Sequence, residues 1–233
     1  MNYNLYNQPI GDAVHSFHQP EKPDIEILEG KYSKLEHLST CHLDDLFELL
    51  CDSNNDLSWT YLPNDPIHDK EAFSTLIHHY IHSEDPYFFA IVDKTTNKAL
   101  GMMSLLRINT KASTIEVGHI HYSPLLKRTR IATEVQYLLA KYVFESLRYR
   151  RYEWKCDSLN APSKRAAKRL GFTYEGTFRQ ALVYKGRNRD TDWFSIIDKE
   201  WPDIKQKYEC WLDERNFKRD GTQIHKLSIR SHV

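Results

Sequence analysis

The chain has 233 residues, and its 32 Lys plus Arg are balanced by 32 Asp plus Glu, so no overall field recruits nucleic acid or an anionic membrane. It is long enough for one large domain with extensions, and it lacks the roughly eighteen-residue apolar run of a membrane helix. The four cysteines, Cys41, Cys51, Cys156 and Cys210, include no Cys-x-x-Cys pair, which argues against structural zinc and a disulfide framework and fits a reducing, cytoplasmic setting.

Residues 1–24 carry Pro9, Gly11, Pro20 and Pro23 with little apolar periodicity and read as an extended arm, not a signal peptide. Ile25 to Leu28 suits a short strand. Thr40 to Leu50 places Leu43, Leu46, Phe47 and Leu50 on one helical face. Ser53 to Pro66 is a loop whose Trp59, Tyr61 and Leu62 pack under neighbours or wall a pocket. Asp69 to Ser83 predicts a second helix with Phe73, Leu76, Ile77, Tyr80 and Ile81 inward. His78 and His82 lie one turn apart on it, but no third ligand has matching spacing, and no metal site is expected.

Tyr87 to Val92, Leu100 to Ile108 and Thr114 to Tyr122 read as strands joined by short turns, hence antiparallel. A long helix follows, with Ile131, Val135, Leu138, Leu139, Tyr142, Val143 and Leu147 on one face. Arg150 to Cys156 predicts another strand, and Ala161 to Leu170 a short basic helix stopped by Gly171. Thr173 to Tyr184 and Asp192 to Ile197 form a last hairpin, Trp201 to Asn216 a terminal helix, and Asp220 to Val233 a tail. The order predicts an α+β fold with a mixed, mostly antiparallel sheet flanked by helices.

The stretch Ser123 to Glu134 joins a strand to the long helix and aims loop N–H groups and the helix N-terminus at one point, which suits phosphate. Read alone, it is better explained as an ordinary strand-to-helix connection with solvated basic residues.

The wider constellation resembles the GCN5-related N-acetyltransferase (GNAT) superfamily, close to its ribosomal-protein-alanine acetyltransferase branch. The resemblance rests on Glu116-Val117-Gly118, Ser123-Pro124, Arg128 to Glu134, Glu153 to Asp157, Asn160-x-x-Ser163, Arg169 to Phe172 and Lys185 to Thr191. It implies a sheet splayed into a V, an acetyltransferase domain over about 25–200, and an arm and a tail outside it. It implies acetyl-CoA as acetyl donor, with pyrophosphate on Lys127, Arg128, Thr129, Arg130, Ile131, Ala132 and Thr133. Pantetheine would pair along the strand through Val117, Gly118 and His119, and Asn160 would contact the donor near the next helix. Where the family's loop reads Gln/Arg-x-x-Gly-x-Gly/Ala, Arg130 stands in the glycine's place, and its charge is a candidate substitute for close backbone approach.

Acetyl transfer to a primary amine needs a proton acceptor, an oxyanion donor and a proton for the thiolate. The resemblance assigns the first role to Glu116, which otherwise reads as a carboxylate paired to a neighbouring strand. A backbone N–H from Val117 to His119 suits the second. Many relatives carry a tyrosine where this chain has Ala167; Ser163 is the substitute the alanine-acetyltransferase branch suggests, or else a helix-start cap. His119 and His121 share a strand face away from Glu116 unless a bulge intervenes. Asp190 and Asp192 are candidates to attract an ammonium. The acceptor is a protein N-terminus or a small amine, and the expected assembly is a monomer or homodimer without nucleic acid or membrane. The competing expectation is a catalytically idle acyl-CoA sensor or scaffold.

Overall fold

The computed structural model describes residues 1–229. Two short exposed strands, β1 (Asn2–Tyr3) and β2 (Pro9–Ile10), pair antiparallel at the start of the arm. The arm then runs to the main body, where Pro20 and Pro23 are buried and Tyr149 Oη donates to Glu21 O at 3.0 Å.

The main sheet has eight strands in the order β3 (Ile27–Glu29), β4 (Ser33–His37), β5 (Tyr87–Asp93), β6 (Lys98–Asn109), β7 (Thr114–Tyr122), β8 (Arg151–Asp157), β10 (Arg187–Ile197), β9 (Thr173–Tyr184). All neighbours are antiparallel except β7 and β8. Helices α1 (Leu43–Leu50) and α2 (Lys70–Ile81) cover one face of its first half. Helices α3 (Arg130–Lys141), α4 (Ala161–Arg169) and α5 (Trp201–Leu212) pack on the other. The mixed α+β architecture expected from the sequence is the one observed.

Each face buries its own apolar cluster. Strand β5 is apolar from Tyr87 to Val92 because both its faces are covered: Phe89 and Ile91 join the α3 side, and Phe88, Ala90 and Val92 the α1–α2 side. Asp69 caps α2 through Ala72 N at 2.8 Å, and Thr129 caps α3 through Ala132 N at 3.1 Å.

Several boundaries differ from expectation, among them the second strand of the last hairpin, which starts at Arg187 and not at Asp192. The first strand is displaced to 27–29 and forms a hairpin with β4, whose Ser-Lys-Leu-Glu-His sequence carries little strand signal. That hairpin is fixed from afar: Glu134 accepts from Lys31 N at 2.9 Å, Tyr32 N at 3.0 Å and Ser33 Oγ at 2.6 Å. Helix α3 ends at Lys141 and continues as a π turn over Tyr142–Ser146, which shifts the apolar stripe while keeping Tyr142, Val143 and Leu147 buried. The terminal helix stops at Leu212, and the tail returns to bury Leu227 and Ile229. The last four residues of the tail, 230–233, lie outside the described residues.

Candidate active site

The site is built where β7 and β8 part. They pair only from Thr114–Arg151 to Val117–Trp154, and beyond that point both strands continue unpaired to one another. Each ends at the N-terminus of a helix, α3 after β7 and α4 after β8. Parallel strands that separate towards two helix N-termini form a cleft flanked by backbone donors.

A bulge in β7 sits at the start of that cleft. Ser104 pairs with Gly118 while Met102 pairs with His121, so β7 carries one extra residue, and His119 takes a φ of +48°. The bulge breaks the strict alternation and turns His119 and His121 to the face of Glu116. His119 Nδ1 lies 3.0 Å from Ser104 Oγ. His121 Nε2 lies 2.7 Å from Ser58 Oγ, with its ring edge-on to Trp59 at 4.6 Å. Burial pushes His119 down to about 4 with help from Arg107, and His121 down to about 3 with help from Lys127, so both imidazoles are neutral at pH 7. Gly118 leaves room for Leu106, whose Cδ2 would lie 2.8 Å from an added Cβ. The Val117 side chain is core, and only its backbone faces the cleft edge.

Glu116 is 3 % exposed and held by two cations, Arg107 Nη1 at 2.7 Å on Oε1 and Lys155 Nζ at 2.8 Å on Oε2. Lys155 also meets Glu153 at 2.7 Å and lies over the Trp193 ring at 3.8 Å. Arg151 extends the chain of charges to Glu153 at 2.6 Å. The sequence reading of Glu116 as either a chemical group or a cross-strand partner thus meets a structure in which it is cross-strand paired, beside the cleft vertex. Lys155 was missed; an alternating Arg-x-Glu-x-Lys strand reads as one solvated face, and only the partners β7 and β10 bury it.

The loop to α3 is tight: Lys127 N donates to Ser123 O at 3.1 Å and Thr129 N to Leu126 O at 3.3 Å. A helix start leaves four N–H groups without intrahelical partners. Thr129 N–H is used by the loop and Ala132 N–H by the cap, which leaves those of Arg130 and Ile131 for an anion. The left-handed residue of the loop is Arg128, with φ +65°, while Arg130 is the first residue of the helix. The Arg130 guanidinium does not reach over the loop. It lies between Tyr32 at 3.5 Å and Phe217 at 4.4 Å. Thr133 is buried and accepts from Arg169 Nη1 at 3.1 Å, so its side chain is committed to α4. Lys127 and Arg128 remain exposed at the loop.

At the second helix start, Asn160 Oδ1 accepts from Ser163 N at 3.1 Å, so Asn160 is the cap and Ser163 is not. Ser163 Oγ accepts from Trp154 Nε1 at 2.9 Å. Asp192 is buried against Thr177 Oγ1 at 2.6 Å and Lys164 at 3.3 Å, and Asp190 accepts from Gln180 N at 2.8 Å. Both carboxylates brace the last hairpin.

On the α1–α2 face a cavity of ≈ 250 Å³ opens against the bulge, walled by Pro63, Leu76, Tyr80, Pro86, Phe88 and His119. In the stretch expected as a loop over 53–66, Ser53–Trp59 form a short 3-10 helix whose Trp59 is core, and Pro63 and Asn64 beyond it line this cavity. The hairpin tip reaches the same loop, where Lys185 Nζ donates to Trp59 O at 2.8 Å, and Tyr61 Oη donates to Leu159 O at 3.2 Å.

Comparison with known proteins places this geometry. Residues 34–173 match the model of the acetyltransferase (GNAT) domain family. A crystal structure of a GCN5-related N-acetyltransferase from Brucella melitensis is 43% identical and superposes with a TM-score of 0.90, covering 92% of this chain and 97% of that one. An uncharacterised N-acetyltransferase of Bacillus licheniformis is 30% identical over 117 residues, 48% of this chain and 63% of that relative. A structure of the ribosomal-protein acetyltransferase RimL in complex with coenzyme A, at 20% identity and a TM-score of 0.63 over 74% of this chain and 98% of that one, shares the fold. From the matched domain and the near-complete superposition, the chain belongs to the GNAT family of acetyltransferases.

Proposed function

We propose that the chain transfers the acetyl group of acetyl-CoA to the nitrogen of a primary amine. One observation carries this reading. The β7–β8 cleft has a free strand edge on one side, a bulge at its vertex and two helix N-termini at its mouth. Those parts fit a thioester with an amide-bearing tail and a pyrophosphate: the edge of β7 beyond Gly118 suits the amides, and the N–H groups of Arg130 and Ile131 suit the phosphates. Lys127 and Arg128 add charge at that mouth. Bound acetyl-CoA supplies a carbonyl open to attack by an amine.

The chain's residues then have distinct tasks. Backbone N–H groups at the bulge, Val117 to His119, donate to the carbonyl oxygen as negative charge develops on it. Glu116, fixed by Arg107 and Lys155, orients the amine or a water that takes its proton. The Ser163 hydroxyl, whose oxygen accepts from Trp154, passes a proton to the departing thiolate and is reprotonated through water by the proton the amine releases. Asn160 organises the start of α4 around it.

The test is calorimetric titration of the full chain with acetyl-CoA, followed by a thiol-release assay over an amine panel. Binding with turnover supports the reading. Binding without turnover on any amine leaves an acyl-CoA sensor, an outcome favoured by Ala167 in place of the leaving-group tyrosine and by the ion pairing of Glu116 with Arg107 and Lys155. Absence of binding overturns both.

A further inference from the structure

Resting on that acetyltransferase reading, the geometry points to the acceptor: we propose that the cavity against the β7 bulge takes a small amine with a flat apolar body and an amino group that is uncharged at neutral pH. The position comes first. His119 is both the bulged residue beside the cleft vertex and a wall of the cavity, so a molecule in the cavity abuts the point where β7 leaves β8. No other residue of the cavity wall belongs to β7.

Shape and polarity come next. At ≈ 250 Å³ the cavity is at the small end of ligand sites, large enough for a single ring with a short substituent. Leu76, Tyr80, Phe88, Pro63 and Pro86 give it apolar walls. Its polar side chains are Asn64, His79, Ser83, His119 and the Tyr80 hydroxyl, with Asn64 Oδ1 already accepting from Tyr80 Oη at 3.2 Å and His119 Nδ1 lying 3.0 Å from Ser104 Oγ. A peptide or an oligosaccharide would need more hydrogen-bonding groups than these.

Charge decides the class of amine. Among the described residues no carboxylate lines the cavity. The acid nearest along β7, Glu116, is already shared by Arg107 and Lys155, and Arg107 also presses its charge on His119. Tyr80 and Phe88 stack on one another at 3.9 Å and 13°, so one π-face of each is spent and unavailable to a cation. His119 and His121 are both neutral and poor proton acceptors. An alkylammonium entering here would give up water contacts with no carboxylate at the wall to replace them. An aromatic amine does not meet that obstacle, because its nitrogen is weakly basic and its ring fits the walls.

The experiment compares p-toluidine with benzylamine and spermidine as acceptors at pH 7, using the full chain, acetyl-CoA and thiol release. The expected result is a kcat/KM for p-toluidine at least tenfold above either alkylamine. Leu76→Trp, which fills the cavity, should lower p-toluidine turnover at least tenfold while calorimetry shows acetyl-CoA affinity unchanged. Ser83→Trp narrows the cavity from another lining position and serves the same purpose if Leu76→Trp does not fold. Preference for spermidine or benzylamine, or acetyl-CoA binding without p-toluidine turnover, overturns the proposal. So does unchanged p-toluidine KM in a folded cavity-filling variant. Failure of the wild-type chain to bind acetyl-CoA is a different outcome, and overturns the acetyltransferase reading itself.

Discussion

Lys155 Nζ lies 2.8 Å from Glu116 Oε2 across the parallel β7–β8 pair, and both side chains are almost wholly shielded from water. The lysine has a second carboxylate, Glu153, at 2.7 Å, and the glutamate a second cation, Arg107, at 2.7 Å. Neither charge is left without a partner, and the cluster sits at the last paired residues before the cleft.

Removing one member of such a cluster strands the others. Lys155→Met should destabilise the protein by about 3–5 kcal/mol, the range for a broken buried pair. Glu116→Gln keeps the shape and a hydrogen-bonding oxygen, and should cut turnover at least tenfold while acetyl-CoA affinity stays within about threefold. Urea unfolding and calorimetry separate the two effects. Unchanged turnover in Glu116→Gln would remove the carboxylate from the chemistry.

Arg130 and Arg128 should respond in opposite directions. Arg130→Ala loses its place between Tyr32 and Phe217 and should cost about 1–2 kcal/mol of stability, with acetyl-CoA affinity reduced less than about threefold. Arg128→Gly relieves the left-handed backbone and should gain about 0.5–1 kcal/mol. Thermal melts in parallel with acetyl-CoA titrations measure both.

The buried histidines make stability depend on acid. Their folded values, about 4 for His119 and about 3 for His121, lie below the ordinary value of about 6.5. The unfolded chain therefore binds more protons as pH falls below 6.5, and the contribution of neutral burial, complete above that pH, is lost progressively towards pH 4. The urea midpoint should fall over this window. His121→Gln should flatten that fall relative to wild type, and an unaltered slope would show that its protonation is not linked to folding.

Gly30 should tolerate no side chain. A Cβ there would lie 2.7 Å from Glu134 Cδ, and Glu134 cannot retreat without giving up its three hydrogen bonds to residues 31–33. Gly30→Ala should destabilise by about 1–3 kcal/mol, read as a lower urea midpoint.

Local pattern made much of this legible. Thr114 to Tyr122 has the alternation of a strand and is β7 to the residue, and the apolar stripe of α3 stands in the sequence in plain order. The possible bulge was visible as a question of parity, and its direction was not. What stayed hidden depends on residues far apart in the chain. Lys155 looks solvated until β7 and β10 close on it. Arg130 looks free to meet phosphate until Tyr32, from 98 residues earlier, and Phe217, from 87 residues later, are folded against it. Ser163 looked like a cap because the true cap, Asn160, was read only as a donor contact.

The four-residue pairing of β7 with β8 has a mechanical meaning. On one side of it stand five strands with α1 and α2, on the other three strands ending in the last hairpin. The sheet is thus two plates joined by a short seam, with the ion cluster of Glu116 and Lys155 riveting its end. A donor lodged beyond the rivet would touch both plates, so the molecule that supplies the acetyl group would also brace the join between them.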